Sequence, residues 1–524
     1  MSERAVDQHS GWRTRKGFTF ILPPQPGTTL SLIHSFALLK IMKKILFVLP
    51  VLCLLQSCKE ELIEKPKAVA VETFYNTASE VEAAVNAAYA QLRAVNGITG
   101  QLGAQLEAYT DYSYGRGSYQ VLSDFQGLNS TNIPRTDDGW RLFYLSIRNA
   151  NLVIQNAPKG ASISKADVTK YVAEAKYLRA FAYFWLVRNW GGVPIRTEAQ
   201  LNEPNVKRNT ADEVYTLILS DLKEAEANLP DKGAQVGRAT KWAAKAALAE
   251  VYFTRNQYAE ARDKADEIIK SGAFSLVPVT TATEFDTKIF GPTVVTSTEE
   301  IWYLKETRQN DQGMYLAMFA HHPGSKLHGA GGFYAHYSDT QTNPVIKSWD
   351  DKDLRKSAFW YSWDIGLGKT SILCKKFSDP IAATSTGAGN DFPVYRYADI
   401  LLLYAEAASR AGNGPTAAAV EALNQVHRRA YGKAPVTASD VDFKLADYTA
   451  TTFSDLVLRE RGYETQYEAK RWLDLKRLGT PKLKEIIKAA TGKDVADKHL
   501  FWPIPVSELN YNTAIVPTDQ NPGY

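Results

Sequence analysis

The stretch RERGYETQYEAKRWLDLKRLG, Arg459 to Gly479, decides how this chain is read. It predicts a single helix. Glycine interrupts it only at Gly462, and no proline follows until Pro481, beyond a natural stop at Gly479. Glu460, Glu464 and Glu468 recur every fourth residue and so share one face. Tyr463, Tyr467, Trp472, Leu475 and Leu478 add apolar surface beside them. Acids, arginines and rings at this density fit an active site, or a structural helix that docks with its charges paired. Glycoside hydrolysis needs two carboxylates roughly 5–9.5 Å apart across the substrate, and Glu464 and Glu468 meet that spacing. Arg461 and Arg471 each stand a helical turn from one of them, so pairing within the helix is the simpler expectation.

Outward from this stretch, the chain repeats a helix–turn–helix pattern. YADILLLYAEAASRAGNGPTAAAVEALNQVHRRA (Tyr397 to Ala430) turns at Gly412-Asn413-Gly414. TKWAAKAALAEVYFTRNQYAEARDKADEIIKSG (Thr240 to Gly272) turns at Arg255-Asn256-Gln257. Tyr252, Tyr258 and Ala261 match tetratricopeptide spacing, where small residues let paired helices approach. Earlier helices are predicted from a capping box at Thr77-Ala78-Ser79-Glu80, over Trp140 to Gln155, over 165–190 before Gly191-Gly192-Val193-Pro194, and over Thr210 to Leu229. Together they suggest about four degenerate repeats.

Two zones break the pattern. Residues 97–136 are rich in Gly, Tyr, Ser and Asn, including YTDYSYGRGSY, and read as a long irregular stretch. Residues 276–392 have weak helical periodicity and clustered aromatics, and read as short strands and long loops. The predicted fold is mainly α: a tetratricopeptide-like helical-repeat scaffold with an inserted loop-rich region containing short strands.

Composition narrows the function. The 524 residues are 45% hydrophobic and 23% charged, ordinary for a chain with a sizeable core. The net charge of +4 comes from the N-terminus. Residues 1–57 hold seven Lys/Arg and two Asp/Glu, leaving 54 against 55 in the remainder. That balance argues against a nucleic-acid partner. With 27 Tyr and 11 Trp, the chain is well supplied with rings that stack on sugars or fill cores.

MKKILFVLPVLCLLQSCKEE begins at Met42. A basic pair, a short apolar run and Leu55-Gln56-Ser57-Cys58 follow in the order of a lipoprotein signal, with Cys58 as the acylated residue. Lys59-Glu60-Glu61 resembles a lipoprotein surface-export signal. Cys374 is then the single remaining thiol and no internal disulfide forms. Residues 1–41 read as an upstream extension from a misassigned start, 42–57 as the signal peptide and 58–71 as a lipidated tether. Residues 72–275 read as a helical region, 276–392 as a variable loop-rich insertion and 393–524 as repeat helices with a closing segment.

The motifs taken together resemble the SusD/RagB family. AEAKYLRAFAYFWLVRNWGGVP (Ala173 to Pro194) is similar to its early helix, and RATKWAAKAALAEVYF to its second repeat block. Asp353-Leu354-Arg355 and Lys376-Phe377 resemble its Asp-x-Arg and Lys-aromatic elements. PVYRYADILLLYAEA (Pro393 to Ala407), the opening stretch, FWPIPVSELN and the terminal QNPGY resemble its closing half. Ala469 departs from it, standing where the family usually has Gly. The resemblance covers nearly all of residues 58–524. It implies a surface lipoprotein of the outer membrane that captures oligosaccharide for a SusC-like TonB-dependent transporter. It implies neither catalysis nor a cofactor. Peptide capture, as in RagB-like members, and a helical-repeat surface scaffold that binds no nutrient are the alternatives.

Family members contact ligand through loops in the two irregular zones. Tyr112, Tyr114, Arg116, Tyr334, Tyr337 and Trp363 are the expected ligand-binding residues, because rings take the C–H face of a sugar and Arg takes its hydroxyls. Other motifs carry less. His321, His322, His328 and His336 crowd one glycine-rich loop without zinc-site spacing, so an exposed loop near ligand is expected and a metal is not. Gly366-Leu367-Gly368-Lys369-Thr370 echoes a phosphate loop, but Trp363 stands where the first glycine is required. Trp140, Trp185, Trp190, Trp242 and Trp472 are expected in the core.

Overall fold

The computed structural model describes residues 74–524. Cys58, the signal segment and the tether lie outside the described residues. Thr77 caps the first helix, α1 (Ala78–Leu92). Its hydroxyl accepts from the Glu80 N–H while the Glu80 carboxylate accepts from the Thr77 N–H. There follow α2 (Gln101–Ala108), α3 (Asn132–Asn156), α4 (Lys165–Trp190), α5 (Ala211–Asn228), α6 (Lys241–Thr254) and α7 (Tyr258–Lys270). From α3 to α7 each helix packs on the next, and α1 lies against α3 and α4. Later come α8 (Tyr397–Ala411), α9 (Ala417–Ala430) and α10 (Ala450–Glu464). The helix α8 rests on α7, α9 and α10, which carries the stack through to the C-terminal half. The repeat turns hold Asn256 at φ 60° and Asn413 at φ 54°, a left-handed conformation that Asn tolerates.

The helix α4 is the axis of the stack. From Ala173 to Trp190 every residue but Lys176 is buried, as expected of a helix apolar on all sides. Its one deeply buried guanidinium near the middle, Arg179, is satisfied by both oxygens of Asp221 (2.7 and 2.8 Å) and by Asn151 (2.8 Å). Residues 97–136 hold more helix than the sequence suggests. In α2, Leu102 to Ala108 are all buried, so the segment has no amphipathic stripe to read. The helix α3 starts at Asn132 rather than Trp140, with Pro134 in the first turn, where its missing N–H has no helical partner to lose.

Two small antiparallel sheets complete the fold. β1 (Tyr114–Gly115), β3 (His336–Asp339), β5 (Ser371–Cys374) and β4 (Trp360–Ser362) form one, in the spatial order β1-β3-β5-β4. β2 (Glu300–Leu304) and β6 (Phe392–Arg396) form the other, and β6 runs straight into α8.

The opening stretch is not one helix. The helix α10 ends at Glu464, a turn spans residues 465–470, and a second helix, α11 (Arg471–Arg477), follows. Tyr467 (φ 59°) and Ala469 (φ 55°) adopt the left-handed conformation that breaks it. A helical reading of 459–479 fails because neither residue announces that conformation as glycine would. Position 469 is also where the resemblance expects Gly, and the positive φ is the physical reason for that preference.

The charge pairing is real, but the partners differ from those expected. Arg461 pairs with Asp474 (3.1 Å) and Arg471 with Asp111 (2.5 Å), not with Glu464 or Glu468. Gly462 makes room for this: a Cβ there would meet the Arg471 guanidinium at 2.9 Å. The acids instead face cations from distant segments. Glu464 meets Arg396 (2.8 Å), Arg429 (2.6 Å) and Arg355 (3.4 Å). Glu468 meets Arg396 (2.6 Å) and Lys376 (2.5 Å), and Glu460 meets Arg355 (2.7 Å). The Asp353-Leu354-Arg355, Lys376-Phe377 and PVYRYADI motifs thus all converge on one buried cluster. Burial would raise Glu464, but Arg429, Arg396 and Arg355 outweigh it and hold the carboxyl well below the ordinary range. Glu460 and Glu468 are likewise drawn down to about 2 against their burial. Their side chains are 0–2% exposed, so neither Glu464 nor Glu468 can flank a substrate.

Candidate functional site

The four-stranded sheet brings the two irregular zones together. β1 supplies Tyr114 from the first and β3 supplies Tyr337 from the second, directly opposite one another. Strand alternation then sorts the side chains. Gly115, His336, Cys374 and Trp360 point inward and are buried. Tyr114, Tyr337 and Tyr361 point outward and stay part-exposed, with Leu373 covered among them. The Tyr114 and Tyr337 rings meet edge to face at 5.7 Å, and the Tyr114 hydroxyl donates to Asp124 at 2.9 Å.

Beside this row stands a stack of rings. The His322 imidazole lies 4.6 Å from Tyr334 and 5.0 Å from Trp363, and Trp363 lies 6.1 Å from Tyr361. Gly324 lets the indole sit against the loop, since a Cβ there would come within 2.9 Å of the Trp363 ring. On Tyr334, the Arg116 guanidinium sits 4.3 Å from the ring centroid, and its Nη1 donates to the Tyr334 carbonyl at 3.4 Å. Tyr334 has φ 36°, a strained value for a bulky residue, held by its N–H donating to the His321 carbonyl at 2.9 Å. Phe333, 46% exposed, extends the apolar edge. These residues form a part-exposed aromatic shelf whose rings are tilted or edge-on to one another.

Five of the six expected residues, Tyr114, Arg116, Tyr334, Tyr337 and Trp363, therefore share this shelf. Tyr112 does not, and its expected role is corrected. It is 1% exposed, its hydroxyl donates to Glu107 and accepts from the Tyr467 N–H, and its ring meets the inward-facing Trp360 edge to face at 6.3 Å. Burial pushes Glu107 up to about 7, although Tyr112 and the Ala469 N–H (2.8 Å) both favour its charged form. Tyr112 thus ties α2 to the turn of the opening stretch.

The histidine loop divides. His321, His328 and His336 are buried at 0%, 2% and 0% exposure. His321 is bonded to the Phe377 carbonyl (2.7 Å) and His336 to the Tyr467 hydroxyl (3.1 Å). Burial lowers His321 to about 4 and His336 to about 3, so both are neutral at ordinary pH. Among the described residues no three metal-ligating side chains converge. His322 alone of the four reaches the shelf. Its Nδ1 accepts from the Gly324 N–H at 3.0 Å, so the neutral ring carries its proton on Nε2, free to donate to a ligand. Sequence reading missed His322 and Tyr361 as individuals. Nothing in the doublet His321-His322 says which ring turns outward. The Gly366–Thr370 echo forms the β4–β5 tip, where the Asp364 carboxylate takes the Gly366 and Gly368 N–H groups (2.8 and 2.9 Å) that a phosphate would need.

A separate cleft of about 460 Å³ opens between α3, the turn at residues 196–201 and Ser507-Glu508. Its floor is largely Tyr144, Leu145, Ile147 and Leu201, and its Arg141 and Arg196 are held by Asp138 and Glu508. The shelf is the better saccharide surface, because it presents exposed rings beside unengaged polar groups.

Known proteins share this architecture. Residues 298–524 match the model of the SusD family, and residues 64–253 match a model described as starch-binding, associating with outer membrane. The SusD-like protein P25 of Formosa agariphila is 25% identical over 89% of this chain and 97% of its own length. A SusD homologue from Bacteroides thetaiotaomicron superposes with a TM-score of 0.75 at 21% identity, covering 87% of this chain and 98% of that one. Surface glycan-binding protein A from the same organism, solved in complex with laminarihexaose, superposes with a TM-score of 0.65 at 20% identity, covering 83% and 97%.

Proposed function

The chain belongs to the SusD family, and from that premise we propose that it captures an oligosaccharide on the aromatic shelf and passes it to a SusC-like TonB-dependent transporter. The observation that carries this is the run of part-exposed rings, Tyr114, Tyr337, Tyr361, Tyr334 and Trp363, gathered on one side of the four-stranded sheet. A pyranose offers C–H groups on its faces and hydroxyls on its rim. Rings take the former, and Arg116 and His322 Nε2 take the latter.

The family description as starch-binding and the laminarihexaose held by a structural neighbour support a glycan as the ligand class. Peptide capture has no such support among the similar proteins. In this reading the sugar is bound and not cleaved, and the chain is held at the outer-membrane surface by lipid on Cys58. Among the described residues no helix is long and apolar enough to cross a membrane.

The test is to incubate the purified protein with a panel of oligosaccharides and separate bound from free material. Retention of an intact oligosaccharide, lost in Trp363→Ala, is the expected result. Shortened products would overturn binding without cleavage, and no retention across the panel would overturn the ligand class.

A further inference from the structure

Most buried arginines of the scaffold meet carboxylates, as Arg179, Arg355, Arg396 and Arg429 do, but the cations around the shelf are in no ion pair. The Arg116 guanidinium lies over the Tyr334 ring, donates to the Tyr334 carbonyl and acts on the nearby Tyr337. Arg135, beside it, lies 4.4 Å from the Tyr119 ring centroid and donates to Asn132 (2.8 Å) and Ser118 (3.1 Å), all uncharged. Lys326, just past the His322 turn, and Lys369, on the loop after Trp363, are exposed. Among the described residues none of these four is in a direct ion pair, although the Asp364 charge acts on Lys369.

The nearby acids are occupied by the chain itself. Asp339 accepts from the Thr370 hydroxyl (2.6 Å) and from the Gln341 and Thr342 N–H groups (both 2.8 Å). Asp364 takes two glycine N–H groups, and Asp124 takes Tyr114 and Lys493. Asp124, Asp339 and Asp364 keep their charge, but none of them is in an ion pair with Arg116 or Arg135, so the shelf holds guanidinium groups without a carboxylate partner on a chain that is nearly neutral beyond residue 57. A guanidinium held over a ring is pre-ordered to meet a planar or multi-oxygen anion, the arrangement that gives charge-assisted hydrogen bonds. A neutral sugar would leave these cations without an anionic partner.

We infer that the shelf selects an acidic glycan, one whose residues carry carboxylate or sulfate groups along the chain; this rests on the glycan-binding reading above. The rings hold the sugar faces, Arg116 meets an anion next to Tyr334, and Lys326 and Lys369 meet further anions along the strand of sugars. Long-range attraction also gathers such a polyanion from solution.

The experiment titrates the purified full chain by calorimetry with three oligosaccharides of equal length. These are hexagalacturonate for carboxylate, a carrageenan hexasaccharide for sulfate, and laminarihexaose as the neutral probe. At least one acidic probe is expected to bind about tenfold tighter than laminarihexaose. The preference should fade as salt is raised from about 50 mM to about 500 mM. Arg116→Gln should remove most of it while the thermal midpoint stays in place. Should that variant fail to fold, the exposed pair Lys326→Gln and Lys369→Gln gives the same readout. Whichever acidic probe wins identifies the anion. Laminarihexaose binding as tightly as both acidic probes overturns this inference and leaves the glycan reading standing, as does an acid preference untouched by every variant. No binding of any oligosaccharide in the wider panel overturns both.

Discussion

The turn that follows Glu464 and the sheet around Tyr337 are built from the same kinds of residue: arginines, acids and aromatic rings. Packed around the turn from distant segments, Arg355, Arg396 and Arg429 are 0% exposed and each meets at least one carboxylate. On the sheet, Arg116 meets a ring and no acid. The Tyr463 ring in α10 stacks on Trp349 at 4.1 Å and is sealed, whereas Tyr334 and Trp363 hold His322 between them at the surface. Paired and desolvated, these groups brace a fold. Unpaired and half-wet, they are the groups the proposed site uses. Residue type therefore does not separate brace from site; the state of pairing does.

The comparison breaks most sharply at Glu464. Glu464→Gln removes the charge that faces three guanidinium groups, and leaving such charges buried costs about 3–5 kcal/mol. Denaturant unfolding should show that loss, while the fraction still folded binds glycan with unchanged affinity. A loss of affinity without a loss of stability would move the site onto the brace. Trp472→Ala should cost a comparable about 3–5 kcal/mol, since its ring is 2% exposed and stacked on Tyr109 at 5.0 Å.

Acid should unlock the brace from the other side. Glu460 and Glu468 have folded-state values lowered to about 2, so their stabilisation is complete above the ordinary carboxylate range. It should be lost as pH falls from there toward about 2. Circular dichroism across that window measures it. A midpoint of unfolding at neutral pH would contradict the pairing.

The shelf should respond in the opposite way. Trp363→Ala is expected to lower glycan affinity about five- to tenfold while changing stability by less than about 1 kcal/mol. The smallest effect sharpens the turn itself. Ala469→Gly relieves a left-handed alanine and should raise stability by up to about 1 kcal/mol with no change in binding.

Much of the scaffold was legible in the residues. The Thr77–Glu80 and Thr210–Glu213 capping boxes, the stop at Gly191 and the turns at Asn256 and Asn413 stand where their sequence signals lie. Of the proposed site, the sequence showed two aromatic-rich irregular zones, but not which of their rings turn outward: Trp349, Phe359 and Trp360 are buried while Tyr114, Tyr337 and Trp363 stay part-exposed. Tyr112 and Tyr114 carry the same signal two positions apart, yet one fills the core and the other faces solvent.

By itself, the sequence determined the elements whose causes are local: helix periods, caps, glycine stops and the repeat of paired helices. These signals act within three or four residues and survive without knowledge of the rest of the chain. Tertiary structure decided everything that depends on remote partners. Arg471 finds Asp111 across 360 residues and Arg355 finds Glu464 across 109. Tyr114 finds Tyr337 across a strand pair that neither zone contains alone. Periodicity says which face of a helix is apolar, but it is silent on what that face will meet. Which charges are neutralised, and which rings are left part-exposed, was settled only when the segments packed.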